Sequence, residues 1–130
     1  MAKYTVLIVD DETSVLRSFK ALLLDDPDIE IVTLQNPSNA IAQIINIRPR
    51  AVVLDMLMGP PSGEEVLNMI RADPRTANIP VLYLTGELAK KNEQGWRPDA
   101  FLLVKPVTPE EFRSKVIGII QGTLRRSGGA

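Results

Sequence analysis

The chain has 130 residues, 45% hydrophobic and 24% charged, the balance of one globular domain rather than of a disordered or fibrous chain. It contains no Cys and no His, which excludes thiol nucleophiles, Ser–His–Asp triads, imidazole bases and thiolate or imidazole zinc sites, and leaves only oxygen ligands and a hard cation such as magnesium for any metal. Its 15 basic and 16 acidic residues sum to −1, without the basic excess of a nucleic-acid-binding domain, and no apolar run approaches the ~18–20 residues of a membrane span.

Five apolar runs rich in Val, Ile and Leu predict strands over Tyr4–Val9, Ile29–Leu34, residues 51–54, residues 80–84 and Phe101–Val104. Four are nearly continuous hydrophobics, as in strands covered on both faces. Helical spacing fills the gaps. Val15, Leu16, Phe19, Leu22 and Leu23 make one apolar stripe, with Thr13 or Ser14 as the cap and Asp25-Asp26-Pro27 as the stop. A second helix opens at Asn36-Pro37-Ser38, turns Ile41, Ile44, Ile45 and Ile47 inward and stops at Pro49. A third runs over Gly63–Ala72 around Val66, Leu67 and Ile70. Residues 87–97 suggest a short, weakly anchored helix, with Trp96 as a packing anchor. The last helix spans 109–125, with Phe112, Val116, Ile119 and Ile120 as its core stripe. Five alternations of strand and helix imply a parallel sheet with right-handed crossovers and helices on both faces. We expect one domain over 1–124 and a flexible tail or linker start over 125–130.

In such sheets ligands sit beyond the carboxyl ends of the strands, at the topological switch point. There the sequence places Asp10-Asp11-Glu12 after Leu7-Ile8-Val9, Asp55 after Val52-Val53-Leu54, Thr85 after Tyr83-Leu84 and Lys105-Pro106 after Leu103-Val104. Acids often begin such loops merely as helix caps, and Asp55 with Lys105 could form a purely structural ion pair. Taken together, though, these residues supply the parts of phosphoryl chemistry. Converging carboxylates repel one another and bind a divalent cation that relieves the repulsion. A carboxylate can attack phosphorus, while a metal, an ammonium and a hydroxyl spread the charge on the transferred group.

The segments Ile8-Val9-Asp10-Asp11-Glu12, Val53-Leu54-Asp55-Met56-Leu57-Met58, Gly63, Leu84-Thr85-Gly86 and Val104-Lys105-Pro106 closely resemble the receiver domain of two-component response regulators. The resemblance spans about 3–124. It implies an α/β, flavodoxin-like (βα)5 three-layer sandwich with a five-stranded parallel sheet of order 2-1-3-4-5. Asp55 would be the phosphoacceptor, taking its phosphoryl group from a phosphohistidine on a sensor histidine kinase or a histidine phosphotransfer protein. Asp10, Asp11, Asp55 and the backbone carbonyl of Leu57 would hold Mg2+, and Thr85 and Lys105 would bind the phosphoryl oxygens. Such a chain is a switch rather than an enzyme, its only chemistry being self-phosphotransfer and autodephosphorylation; Leu57 and Glu87 would tune the latter. The Lys105–Pro106 bond is often cis in the family.

Two positions depart from the family pattern. Gly59 stands where a proline is usual, followed by Pro60 and Pro61. Leu102 stands where the family commonly carries an aromatic switch residue, with Phe101 one place earlier and facing the other side of the sheet. The segment 87–97 falls in the region such domains use for dimerisation or output.

A phosphohydrolase of the haloacid dehalogenase type would need Asp-x-Asp-x-Thr, and Asp10-Asp11-Glu12-Thr13-Ser14 is out of step by one. No glycine-rich nucleotide motif is present. The remaining alternative is a receiver-fold interaction module that works without phosphorylation. Downstream, an effector domain, a docking protein or a homodimer is expected, with no direct nucleic-acid contact and no membrane, in the cytoplasm.

Overall fold

Runs of Val, Ile and Leu pair into a sheet here because each is too apolar to leave either face in water. In the computed structural model, which describes residues 3–85 and 99–122, β1 (Tyr4–Val9), β2 (Ile29–Leu34), β3 (Ala51–Asp55), β4 (Val81–Thr85) and β5 (Phe101–Val104) form one parallel sheet. Its order is β2-β1-β3-β4-β5, as expected. The three central strands are the most deeply buried, and β2, with Glu30 exposed, lies at an edge.

Four helices accompany these strands among the described residues: α1 (Thr13–Leu22), α2 (Ala40–Ile47), α3 (Gly63–Ala72) and α4 (Pro109–Gln121). Alternation along the strands sorts the core into two layers. Val6, Ile8, Val53, Leu82, Leu84 and Phe101 pack with Leu16 of α1 and with Phe112, Val116 and Ile119 of α4. Leu7, Val9, Val52, Leu54, Val81 and Tyr83 pack with Ala40 and Ile44 of α2 and with Val66, Leu67 and Ile70 of α3. The Phe19 and Phe112 rings join α1 to α4, centroids 4.8 Å apart. No described helix is long and apolar enough to cross a membrane.

Several boundaries differ from the sequence expectation, each for a local reason. Strands β3 and β4 take in Asp55 and Thr85, and β4 begins at Val81, since Pro80 has no N–H for the ladder and offers only its carbonyl, to Val52 N at 3.0 Å. Neither Thr13 nor Ser14 caps α1: the cap position is Glu12, with no side-chain hydrogen bond, and both expected caps lie inside the helix or at its first residue. A single 3-10 turn, Pro37–Asn39, precedes α2, its start capped by the Asn36 side chain on Ser38 N. Ile45 is only half-buried. Helix α4 stops at Gln121, where Gly122 adopts the left-handed conformation (φ 74°) that closes a helix at low cost, rather than running to Arg125. The Leu22 side chain, the helix expected over 87–97 with Glu87 and Trp96, and the tail over 125–130 lie outside the described residues.

Two contacts fix the helices on the sheet. A Cβ on Gly63 would fall 2.8 Å from Met56 Cα and closer still to the Asp55 carbonyl oxygen. Only glycine therefore lets the start of α3 lie against the end of β3. Arg113 of α4 reaches the loop between α1 and β2, pairing with Asp26 and Asp28 at 2.6 Å each. The Asp26 side chain is 6% exposed. Burial alone would raise its pKa, but hydrogen bonds from Arg113 and from the N–H groups of Asp28 and Ile29 outweigh that and hold it below the usual carboxylate range.

Gly63→Ala should cost about 1–3 kcal/mol, the usual penalty for overpacking, read as a lower urea midpoint with an unchanged slope; an unchanged midpoint would show that α3 can shift freely. Because the folded-state pKa of Asp26 is depressed, its contribution is present above the unfolded value of 3.8 and is lost as pH falls through the lower folded value. Arg113→Gln should therefore destabilise by about 1 kcal/mol at pH 7, with the gap to the wild type narrowing in urea melts at about pH 3.

Candidate functional site

Asp10 continues the side-chain parity of Val6 and Ile8, Asp55 that of Val53, and Lys105 that of Phe101 and Leu103, so all three project toward the α1/α4 side of the sheet edge. The β1–β3 register pairs Val9 with Leu54, which sets Asp10 beside Asp55. These strands lie where the order turns from β2-β1 to β3-β4-β5, the switch point at which such sheets bind ligands. Lys105 comes from two strands away, and its long stem spans β4. Its Nζ reaches Asp55 Oδ2 at 2.6 Å, while its own N–H bonds to the Thr85 carbonyl at 2.9 Å. The Lys105–Pro106 and Pro60–Pro61 bonds are cis.

Asp10 and Asp55 are 2% and 4% exposed. Asp55 Oδ1 accepts from Leu57 N at 2.8 Å, so both its oxygens are engaged. Asp10 Oδ1 accepts from Glu12 N at 3.0 Å, but its Oδ2 is buried without a hydrogen-bond partner. Desolvation is the chief reason that the Asp10 carboxyl is pushed up to about 7. The Glu12 N–H and the Lys105 charge oppose the rise, while the neighbouring Asp55 adds to it. A buried, unpartnered carboxylate oxygen facing a second carboxylate fits an oxygen-liganded divalent cation.

The other expected residues are present in different relations. Asp11 is half-buried and turned to the loop after β3, where its Oδ2 accepts from Gly59 N at 2.7 Å. Among the described residues no three acidic side chains converge into a ready-made cage. Leu57 is brought to Asp55 by its N–H, and the residue is 70% exposed. Thr85 is buried at the strand end, and its hydroxyl donates to Met56 Sδ at 3.2 Å. Sequence reasoning passed over Met56. The available signal was period-two alternation, which puts Met56, after Val52 and Leu54, on the same face as Thr85, after Val81 and Tyr83. Phe101 packs with the α1/α4 layer while Leu102 packs with the α2/α3 layer. The register sets Leu102 beside Tyr83 with no bulge between, so the aromatic ring at that place is supplied by β4.

A strand-end acid at a switch point, a lysine paired to it and a second buried acid at its side are the parts of a receiver site. The profile of the response regulator receiver domain matches residues 6–117, and the chain belongs to that family. It is 31% identical over 130 residues to the phosphate regulon transcriptional regulatory protein PhoB of Pseudomonas aeruginosa, covering 98% of this chain and 55% of that protein. It is 31% identical over 119 residues to the response regulator Rre1 of Synechocystis sp., covering 89% and 51%. The chain thus spans about half the length of these curated relatives. Among solved structures, the chemotaxis protein CheY4 of Vibrio cholerae superposes with a TM-score of 0.79 at 26% identity, covering 91% of this chain and 99% of that one.

The raised Asp10 pKa gives a signed expectation for the chelator-treated protein. Its folded value of about 7 lies above the unfolded 3.8, so ionising it costs nothing below 3.8, increasingly destabilises as pH rises toward 7, and costs most above that. Asp10→Asn should therefore raise the melting temperature at pH 8 in EDTA, with the gain shrinking toward pH 4. A variant less stable than the wild type at pH 8 would refute the cost of ionising this buried carboxyl.

Proposed function

We propose that this chain is a phosphorylation-controlled signalling switch that accepts a phosphoryl group on Asp55 from a phosphohistidine of a sensor histidine kinase or histidine phosphotransfer protein. The observation that carries the proposal is the buried Asp55 with Lys105 Nζ 2.6 Å from its Oδ2 and Asp10 at its side. An Asp55 oxygen attacks phosphorus, the N–P bond of the donor breaks, and the imidazole leaves with the bonding electrons and takes a proton. Lys105, already on Asp55, passes to a phosphoryl oxygen. Thr85 does likewise once its hydroxyl leaves Met56 Sδ. Mg2+, bound by Asp10, Asp11, Asp55 and the Leu57 carbonyl, would offset the charge of the carboxylates and of the transferred group.

The added charge of about −1.5 to −2 then alters the surface read by an effector domain, a docking protein or a second copy. The reading places this work in the cytoplasm, with no membrane or direct nucleic-acid role, over a receiver domain of 1–124 followed by a tail or linker start at 125–130. Apart from self-phosphotransfer and the hydrolysis that resets it, the domain has no enzymatic task.

Incubation with Mg2+ and acetyl phosphate should produce one phosphoryl adduct by intact mass, absent in Asp55→Asn and in the presence of EDTA. Lys105→Ala should form the adduct at least about tenfold more slowly, from the loss of a charge-assisted contact. No adduct with acetyl phosphate or with a phosphohistidine donor would favour an interaction module that works without phosphorylation.

A further inference from the structure

The loop after β3 holds two of the site's acids through its backbone. Leu57 N donates to Asp55 Oδ1 at 2.8 Å, and Gly59 N donates to Asp11 Oδ2 at 2.7 Å. The second bond bridges 48 positions in sequence and is short enough to count among charge-assisted hydrogen bonds. It also turns Asp11 toward the loop, in keeping with the lack of any three-acid cage among the described residues. Gly59 does not have a positive φ, and a Cβ there would lie 3.3 Å from Asp11 Oδ2, a contact tight by a few tenths of an ångström.

We propose that the Gly59 N–H is a latch that competes with a divalent cation for Asp11, so that metal loading frees the loop around residues 57–59. The latch has this meaning only if Asp11 serves the metal, as in the function proposed above. A cation drawn to the unpartnered Oδ2 of Asp10 and to Asp55 that recruits Asp11 through its Oδ2 displaces the Gly59 N–H from that oxygen. The cation thereby exchanges one electrostatic partner of Asp11 for another, and the loop loses its tie to the start of α1. Gly59 is then a positioning residue, setting metal affinity and loop order together without touching phosphorus.

Gly59→Pro removes the donor, whereas Gly59→Ala keeps it and crowds Oδ2 by a few tenths of an ångström. By calorimetry, Gly59→Pro should bind Mg2+ about three- to tenfold more tightly than Gly59→Ala, a discounted value for one exposed hydrogen bond to a charged group. In the wild type, the Gly59 amide should be protected from hydrogen exchange without metal and exchange several-fold faster at saturating Mg2+. Equal or weaker binding by Gly59→Pro, or Gly59 protection that saturating Mg2+ leaves unchanged, overturns the latch. Should Gly59→Pro fail to fold, the wild-type amide decides alone. A wild type that binds Mg2+ without a change at Gly59 refutes the latch and spares the phosphoryl switch; a wild type that binds no Mg2+ refutes both.

Discussion

Two carboxylates, Asp10 and Asp55, sit side by side at the ends of adjacent central strands, almost wholly out of water. Bringing like charges together in such a place is unfavourable, and folding tolerates it because the apolar strands that carry them gain far more from burial. Lys105 offsets part of the repulsion, while burial, with a lesser contribution from Asp55, pushes the Asp10 carboxyl up to about 7. The residual imbalance suits the proposed chemistry: a site short of positive charge attracts a divalent cation, and a cation there makes room for a phosphoryl group. The structure and the proposed reactivity thus share one electrostatic cause.

The surrounding fold maintains that arrangement at close quarters. Gly63 lets α3 lie against the backbone of Asp55, while a reciprocal cap between Ser62 and Glu65 starts the helix at that point. The Leu57 N–H orients the Asp55 carboxylate. On the opposite face, Thr85 donates to Met56 Sδ in the layer that holds α2 and α3. A thioether is a weak acceptor, and Met56 Sδ is one partner of the Thr85 hydroxyl. The sheet edge thus carries Asp10, Asp55 and Lys105 with the parity of one face, and Thr85 with Met56 on the other.

Much of this was legible before any coordinates. Continuous Val/Ile/Leu runs marked the strands covered on both faces, and the order of the five strands followed from the receiver resemblance and was met; that β2, with Glu30 exposed, and β5 form the edges came from the structure. The residues at the strand ends were legible for a related reason: a polar side chain closing an apolar strand is rare unless something meets it. The cap of α1 was not legible. Thr13 and Ser14 are good capping residues, yet the helix already begins at Thr13, just after Glu12, whose N–H donates to Asp10 Oδ1. Nor was the reach of Arg113 to Asp26 and Asp28, which are 87 and 85 positions away.

The chain's linear pattern determined which side chains share a face of the sheet, since alternation along a strand is a local property of the backbone. It thereby determined that Asp10, Asp55 and Lys105 would lie on one side and Thr85 and Met56 on the other. Only the packed structure decided which groups meet. Asp11 bonds to Gly59 instead of joining its acidic neighbours, and Leu102 lies beside Tyr83 rather than Phe101. Such pairings depend on register and loop path, which are set by contacts between segments far apart in the chain and leave no periodic trace in it.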